Sequence, residues 1–443
     1  MLTPSKIKSR LFHVIDDLEK HIDQFVRSPG RDFTRHRSCS FKDCIKLLLH
    51  LQNHSLQKEI DQFFKFSRKP QPSSSAFVQQ RQKFNDKLLP QLFYAFNQAV
   101  PFSSLYRGLR LIACDGSDIN LPKCSKDLRY FVRYKKNSRI AGYWQMHINT
   151  FFDILEQRYL DVVLQPRPEM NEVAALCTMV DRYISDIKAL FIADRGYPSF
   201  NLFAHIIENH QYFLVRSCNI YAGNSFLKHL GLPESGEFDR DVSITLTRSR
   251  KKCFSKHPEK YRCISPGTRF DYIPPNDKDT TYTLSFRVVA VEISRGNIEF
   301  LLTSLPREEF PPSELKILYN MRWNIEQSYR SLKYSLSLST LHSVKREYIV
   351  QEIYAKLTMY NFTSLLTRTV PEEDLPSRKK GNKWDYRISF SNSVSVTQQF
   401  LCMYICNKDI RRLLLRAPSA IHPGRQNPRV LQTQSVRPLN NRG

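Results

Sequence analysis

Apolar residues recur at steps of three and four along most of the first hundred positions. The stretch "FKDCIKLLLHLQNHSLQKEIDQFFKF", residues 41–66, shows it most clearly, and this is the spacing that lines one face of an α-helix. Two prolines and three serines interrupt it in "KPQPSSS", after which "AFVQQRQKFNDKLLPQLFYAF" resumes the period with serines in place to cap a helix start. A helical unit over residues 1–104 is expected. Arg68, Lys69, Arg81 and Lys83 surround its central loop and predict a basic face.

The period then changes. In "LRLIACDGSDINLP" an apolar run from Leu109 to Cys114 meets Asp115-Gly116-Ser117, which reads as a strand entering a turn. "QMHINTFFDIL" and "RYLDVVLQP" read as a hairpin turning at Glu156-Gln157-Arg158, and "NEVAALCTMVDRYI" as a helix. "KALFIADRGYPSF" repeats the earlier pattern, a strand from Ala189 to Ala193 running into Asp194 and a glycine. A helix in "SFNLFAHIIENH" and a strand in "QYFLVRS" follow. Three strands and then alternating helices and strands predict an α/β fold with a mixed sheet and helices on its faces.

Residues 219–297 are strand-rich, with alternation in "VSITLTRSRKK" and "TYTLSFRVVAVEIS", and read as a β-rich insertion. It divides a core into a first part, 105–218, and a second part, 298–370. The second part holds "PPSELKILYNMRWNIEQSYRSLKYSL", expected as one long helix that begins at Pro311-Pro312-Ser313. Residues 371–443 combine a basic stretch, "SRKKGNKWDYR", a helix in "VTQQFLCMYICNKDIRRLLL" and a tail that from Arg411 onward has seven arginines and no acid.

Charge narrows the choice of partner. The 443 residues include 67 Lys and Arg against 42 Asp and Glu, a formal net charge of +25. A polyanion is the expected partner, and without an apolar run of membrane-spanning length nucleic acid leads over a membrane. The ten cysteines form no CxxC pair and read as reduced thiols.

Carboxylates supply the candidate chemistry. Phosphoryl transfer by two divalent metals needs acids that converge on one point. Asp115 and Asp194 each follow an apolar strand and precede a glycine, so both can project from the same sheet edge. Glu326 can supply the third from a helix, because Tyr319, Arg322, Glu326 and Lys333 fall on one face at 100° per residue. Taken singly, each aspartate is also an ordinary turn former, and the helix face an ordinary set of surface ion pairs.

In combination these residues resemble the DDE transposases of the insertion-sequence-four family. Asp115 in "CDGSDI", Asp194 in "ADRGYPSF" and the run Tyr319, Arg322, Glu326, Lys333 at Y-x2-R-x3-E-x6-K spacing carry the resemblance, which covers about residues 109–341. It implies a ribonuclease H-like core interrupted by a β-rich insertion, and a helical N-terminal domain that recognises DNA ends. It also implies metal-dependent cleavage of double-stranded DNA at terminal inverted repeats, and strand transfer into target DNA. Asp115, Asp194 and Glu326 become catalytic metal ligands for two Mg²⁺ or Mn²⁺ ions. Tyr319, Arg322 and Lys333 become phosphate-binding residues, and Trp323 a candidate for base stacking that a core position would equally explain. A homodimer in the synaptic complex, no membrane partner and a cytoplasmic location at the bacterial nucleoid follow in the same way. Two alternatives stay open: a catalytically silent DNA-binding inhibitor or domesticated derivative, and a ribonuclease H-like nuclease without strand transfer.

Overall fold

A computed structural model describes residues 2–35, 37–65, 70–123, 127–134, 142–218, 220, 225, 227–294 and 297–422. Arg68, Lys69 and the arginine-rich tail beyond residue 422 lie outside the described residues.

The N-terminal region forms five helices: α1 (Pro4–Lys20), α2 (Phe41–His50), α3 (Leu56–Phe64), α4 (Ser74–Arg81) and α5 (Leu88–Ala99). Their starts follow local chemistry. Ser40 and Asp43 form a reciprocal capping box on α2, and Ser73 accepts the Ala76 amide at the start of α4. Two long strands follow, β1 (Arg110–Leu121) and, after the short β2 (Phe131–Arg133), β3 (Gly142–Asp153). The hairpin partner of β3 is β4 (Arg158–Pro166), and then come α6 (Glu172–Arg182), β5 (Ala189–Ala193), α7 (Phe200–Glu208) and β6 (Tyr212–Ser217).

β1 and β3 are antiparallel, as are β3 and β4, whereas β5 runs parallel to both β1 and β6. The order β4-β3-β1-β5-β6 is the ribonuclease H-like arrangement that the resemblance implies. Alternate residues of β1 serve the two faces. Leu111 and Ala113 join the core shared with the N-terminal helices, and Ile112 and Cys114 join the core under α6 and α7.

Residues 219–297 contribute β7 (Phe238–Thr247), the one-turn α8 (Lys252–Ser255), β8 (Tyr261–Cys263) and the long β9 (Thr281–Ser294). β10 (Asn297–Thr303) follows directly. These strands continue the core sheet: β10 pairs with β6 on one side and β9 on the other, and β7 and β8 extend it outward. The backbone edge of β6 is thereby covered, leaving no open apolar edge there.

The expected single long helix is two helices and a wider turn. α9 (Pro312–Met321) meets α10 (Trp323–Arg330) at Arg322, and a π-helical turn, Ser331–Ser335, ends the run. At the junction the Arg322 amide bonds to the Tyr319 carbonyl and the Ile325 amide to the Arg322 carbonyl, a local tightening to three-residue steps. α11 (Arg346–Thr367) is buried almost all round and forms the axis of the helical layer.

After α11 come β11 (Asp385–Arg387), α12 (Phe390–Leu401), α13 (Ile410–Leu414) and β12 (Ser419–Ile421). The expected helix over residues 396–415 is thus split. Gln398 donates to the His50 carbonyl, and the Tyr404 hydroxyl to the carbonyls of Gln62 and Phe63, which ties this region to the N-terminal helices.

One expectation for the N-terminal unit is corrected. Arg81 is not part of a basic face; it is 1% exposed and paired with Glu352 of α11 at 3.2 Å. It also donates to Gln351, to Ser343 and to the Tyr348 carbonyl. A buried guanidinium persists only when its donors are satisfied in this way. Burial raises the Glu352 carboxyl, but His342, Arg81 and Ser343 outweigh it and hold the group well below the usual range.

Candidate active site

The site is built at the place where β5 stops. The last registered pair of the parallel β1–β5 ladder is Cys114 with Ala193. Asp115 and Asp194 are each one residue past it, so the two strands deliver their acids side by side. By strand alternation both project to the face covered by α9 and α10.

The expected turn at Asp115-Gly116-Ser117 does not form. β1 continues to Leu121, held by β3 alone, with Asp115 opposite Thr150 and Gly116 opposite Asn149. Twelve-residue β3 supplies a partner for the whole length, so nothing forces β1 to turn where β5 ends. Past Cys114 the edge of β1 that faces β5 is therefore free of ladder pairing.

The helical run crosses both strand ends like a bar. At one end the Tyr319 hydroxyl donates to Asp194 Oδ1 at 2.9 Å. In the middle, Arg322 donates to Glu326 Oε1 at 2.9 Å. At the other end Lys333, inside the π-helical turn, donates to Ser117 Oγ at 2.7 Å. Tyr319 and Lys333 thus tie the run to the ends of β5 and β1, with the Arg322–Glu326 pair between them, although the helix beneath them is irregular. Trp323 is 48% exposed. Its ring lies 5.6 Å from the Arg322 guanidinium, which is the same distance from Tyr319 on the other side. A core position for this tryptophan is excluded.

Several residues at the site were not singled out by sequence. Arg216, at the end of β6, lies 3.0 Å from Asp194 Oδ1 and 2.8 Å from Glu299. Tyr329, in α10, donates its hydroxyl to the Asp115 carbonyl and lies 2.8 Å from Thr150 Oγ1. Glu172, the first residue of α6, is 3.1 Å from His147 Nε2, and the other ring nitrogen of His147 is 2.7 Å from Asp118. His147 is buried on β3 yet belongs to this charged chain. Available signals were slight: an arginine closing an apolar strand, and a tyrosine three residues after Glu326.

Electrostatics differ across the site. Burial pushes Asp115 up to about 6, the Gly116 amide and Arg322 oppose this, and Glu326 and Glu172 add to it. For Asp194 burial also raises the carboxyl, but the Arg195 amide, Tyr319, Arg322 and Arg216 together hold it below the usual range. Burial pulls Lys333 down, against Asp118 and Asp115. Burial likewise lowers His147, and its contacts with Asp118 and Glu172 outweigh that, lifting it to about 9.

The donor set suits a hard divalent cation. Two carboxylates stand side by side at one sheet edge and a third, Glu326, lies on the helix that crosses it; the acids near Asp115 raise its affinity for protons, an effect a bound cation would reverse. Among the described residues no three Asp, Glu, His or Cys side chains stand close enough to form a ready-made metal cage. Asp194 and Glu326 are instead engaged by Tyr319, Arg216 and Arg322, so a cation has to displace those donors.

A model of the transposase DDE domain family matches residues 106–362. Transposase InsG for insertion sequence element IS4 of Escherichia coli (strain K12) is 34% identical over 110 residues, which is 24% of this chain and 24% of that protein. The chain therefore spans about a quarter of that curated relative's length in the match. Among solved structures, the piggyBac transposase in a cryo-EM synaptic complex with hairpin DNA is similar at a TM-score of 0.47 and 10% identity. That likeness covers 95% of this chain and 83% of the other.

Proposed function

Because the chain belongs to the transposase DDE domain family, we propose that it is a DDE transposase, an endonuclease and strand transferase acting on double-stranded DNA. It cuts at terminal inverted repeats and joins the freed ends to target DNA. The observation that carries this reading is the register: Asp115 and Asp194 stand one residue past the last β1–β5 pair, with the Tyr319–Lys333 run laid across both.

Asp115, Asp194 and Glu326 are the residues that would hold two Mg²⁺ or Mn²⁺ ions, which when bound supply an activated oxygen nucleophile and stabilise the leaving oxygen. The other side chains bind and orient. Arg322 pairs with Glu326, and Arg216 pairs with Asp194 and helps to keep that carboxylate ionised. With those carboxylates engaged in holding cations, the same guanidiniums would be available to bind the phosphates of the DNA end. Tyr319 changes partner in the same way, and Lys333 holds phosphate from beside Ser117. The half-exposed ring of Trp323 offers a face on which an unstacked end base can lie.

The N-terminal helices recognise the inverted repeat, and two copies bridge two ends in a synaptic homodimer. The strongly basic chain binds phosphate non-specifically beyond the site. No helix among the described residues is long and apolar enough to cross a membrane; the place of action is the bacterial cytoplasm, at the nucleoid.

The test is incubation of the full chain with DNA carrying the element's own ends, a target plasmid and Mg²⁺. Nicked ends and joined products are expected from the wild type, and end binding without either product from Asp194→Asn and Glu326→Ala. Binding without cleavage by the wild type identifies a silent DNA-binding protein, and cleavage without joining a nuclease. Full activity of either variant refutes the assignment.

A further inference from the structure

Glu172 has a position that its ion pair with His147 does not account for. It opens α6 on the side of the sheet opposite to α9 and α10, capped by Asn171. A methyl group built on Gly116 meets Glu172 Oε1 at 2.6 Å and His147 Nε2 at 2.3 Å. One built on Gly196 comes within 3.7 Å of Glu172 Oε2. Gly116 follows Asp115 directly, and Gly196 is two residues after Asp194. The Glu172 carboxylate thus lies against the backbone that carries both aspartates, in space that any other residue at 116 would fill.

The sheet leaves this approach open. Beyond Cys114 the edge of β1 has no partner from β5. A carboxylate behind Gly116 therefore lies next to the unpaired edge of β1 whose front carries Asp115. His147 Nε2 is buried and makes no well-directed hydrogen bond there, although Glu172 Oε1 is 3.1 Å away. Asp118 holds the other ring nitrogen, and Arg167 holds Asp118 at 3.0 Å. The imidazole is thus fixed behind Glu172 and aims it at the gap.

We propose that Glu172 is a fourth carboxylate of the cation site, helping to hold the divalent ion between Asp115 and Asp194 through the opening left by Gly116. This rests on the reading of Asp115, Asp194 and Glu326 as cation-binding acids. In that role His147 is a positioning residue, acting through Glu172.

Mn²⁺ binding to the DNA-free full chain, followed by the loss of the free-ion EPR signal, separates the two ideas. Wild type binds Mn²⁺, and Asp115→Asn and Asp194→Asn lose that binding. Glu172→Gln weakens it by about tenfold or more, because a charged oxygen ligand is lost, while its melting temperature in chelator falls no further than that of His147→Gln, which loses the same ion pair. His147→Gln, which keeps the carboxylate and loosens its orientation, weakens binding by less than Glu172→Gln does. If Glu172→Gln is unstable, Glu172→Asp replaces it and shows the same direction of change. Wild-type affinity in Glu172→Gln, or equal losses in Glu172→Gln and His147→Gln, overturns the proposal while leaving the three acids in place. Wild-type affinity in Asp115→Asn and Asp194→Asn overturns the underlying reading instead.

Discussion

Asp115 and Asp194 occupy equivalent positions in adjacent parallel strands, yet their surroundings are opposite. Asp194 is ringed by donors, with Tyr319 and Arg216 in direct contact, and it stays ionised. Asp115 has the amide of Gly116 as its close donor and two acids nearby, and burial lifts it to about 6. Strand register places the acids; the neighbouring helices decide their charge. The pair holds one carboxylate ready at all physiological pH and another that ionises only at a cost in stability, which a nearby cation would offset.

Exchanging each acid for its amide breaks this contrast most sharply. The carboxyl of Asp115 is raised from about 3.8 in the unfolded chain to about 6, so the folded state holds the proton longer. Its ionisation then costs stability as pH rises from about 4 through 6. In chelator, Asp115→Asn abolishes that decline, by no more than about 3 kcal/mol. Its melting temperature at pH 7 equals or exceeds that of the wild type. Asp194→Asn has the opposite sign: it removes the charge that Arg216 and Tyr319 contact, leaving Arg216 paired with Glu299, and lowers stability at pH 7 by about 1 kcal/mol, a modest figure because the pair is partly exposed. Equal shifts in the two variants, read by thermal melting, contradict the asymmetry.

His147 sharpens the comparison from behind the sheet. Its folded value of about 9 lies above the unfolded 6.5. The stabilisation is fully present below pH 6.5 and is lost as pH rises through 9. His147→Gln removes that slope, an effect smaller than about 3 kcal/mol because desolvation offsets part of each ion pair. A wild-type melting curve flat between pH 6.5 and 9.5 counts against a charged imidazole. The smallest expected effect is at the Asp115 backbone. Tyr329→Phe removes the hydroxyl that bonds the Asp115 carbonyl and Thr150, costing about 1 kcal/mol in denaturant unfolding.

Much of this architecture was legible because period-two and period-3.6 patterns are written by burial. The strand at Ala189–Ala193, the helices on either side of it and the hairpin before it follow from apolar spacing alone. That Asp115 and Asp194 stand at one sheet edge was legible because an apolar strand followed by aspartate and a nearby glycine is a local signal. Asp115-Gly116-Ser117 misled for a non-local reason: β3 is long enough to keep β1 extended after β5 has ended. The break at Arg322 and the π-helical turn around Lys333 were also hidden, since no proline or glycine marks them. They arise where the run packs across two strand ends at once. Arg81 read as a surface base because its partner Glu352 lies far along the chain. Glu172 and Arg216 carry no signal until the sheet edge that gathers them is known.

The central claim is that Asp115, Asp194 and Glu326 gather around one cation-binding point. Fe²⁺ placed there in exchange for Mg²⁺ cuts nearby backbone when ascorbate and peroxide are added, and the cut sites can be read by mass spectrometry. The account predicts cuts near residues 115, 194 and 326, competed by excess Mg²⁺ and lost in Asp194→Asn. Cuts elsewhere in the chain, or cuts at these three places that Mg²⁺ and the substitution leave unchanged, contradict it.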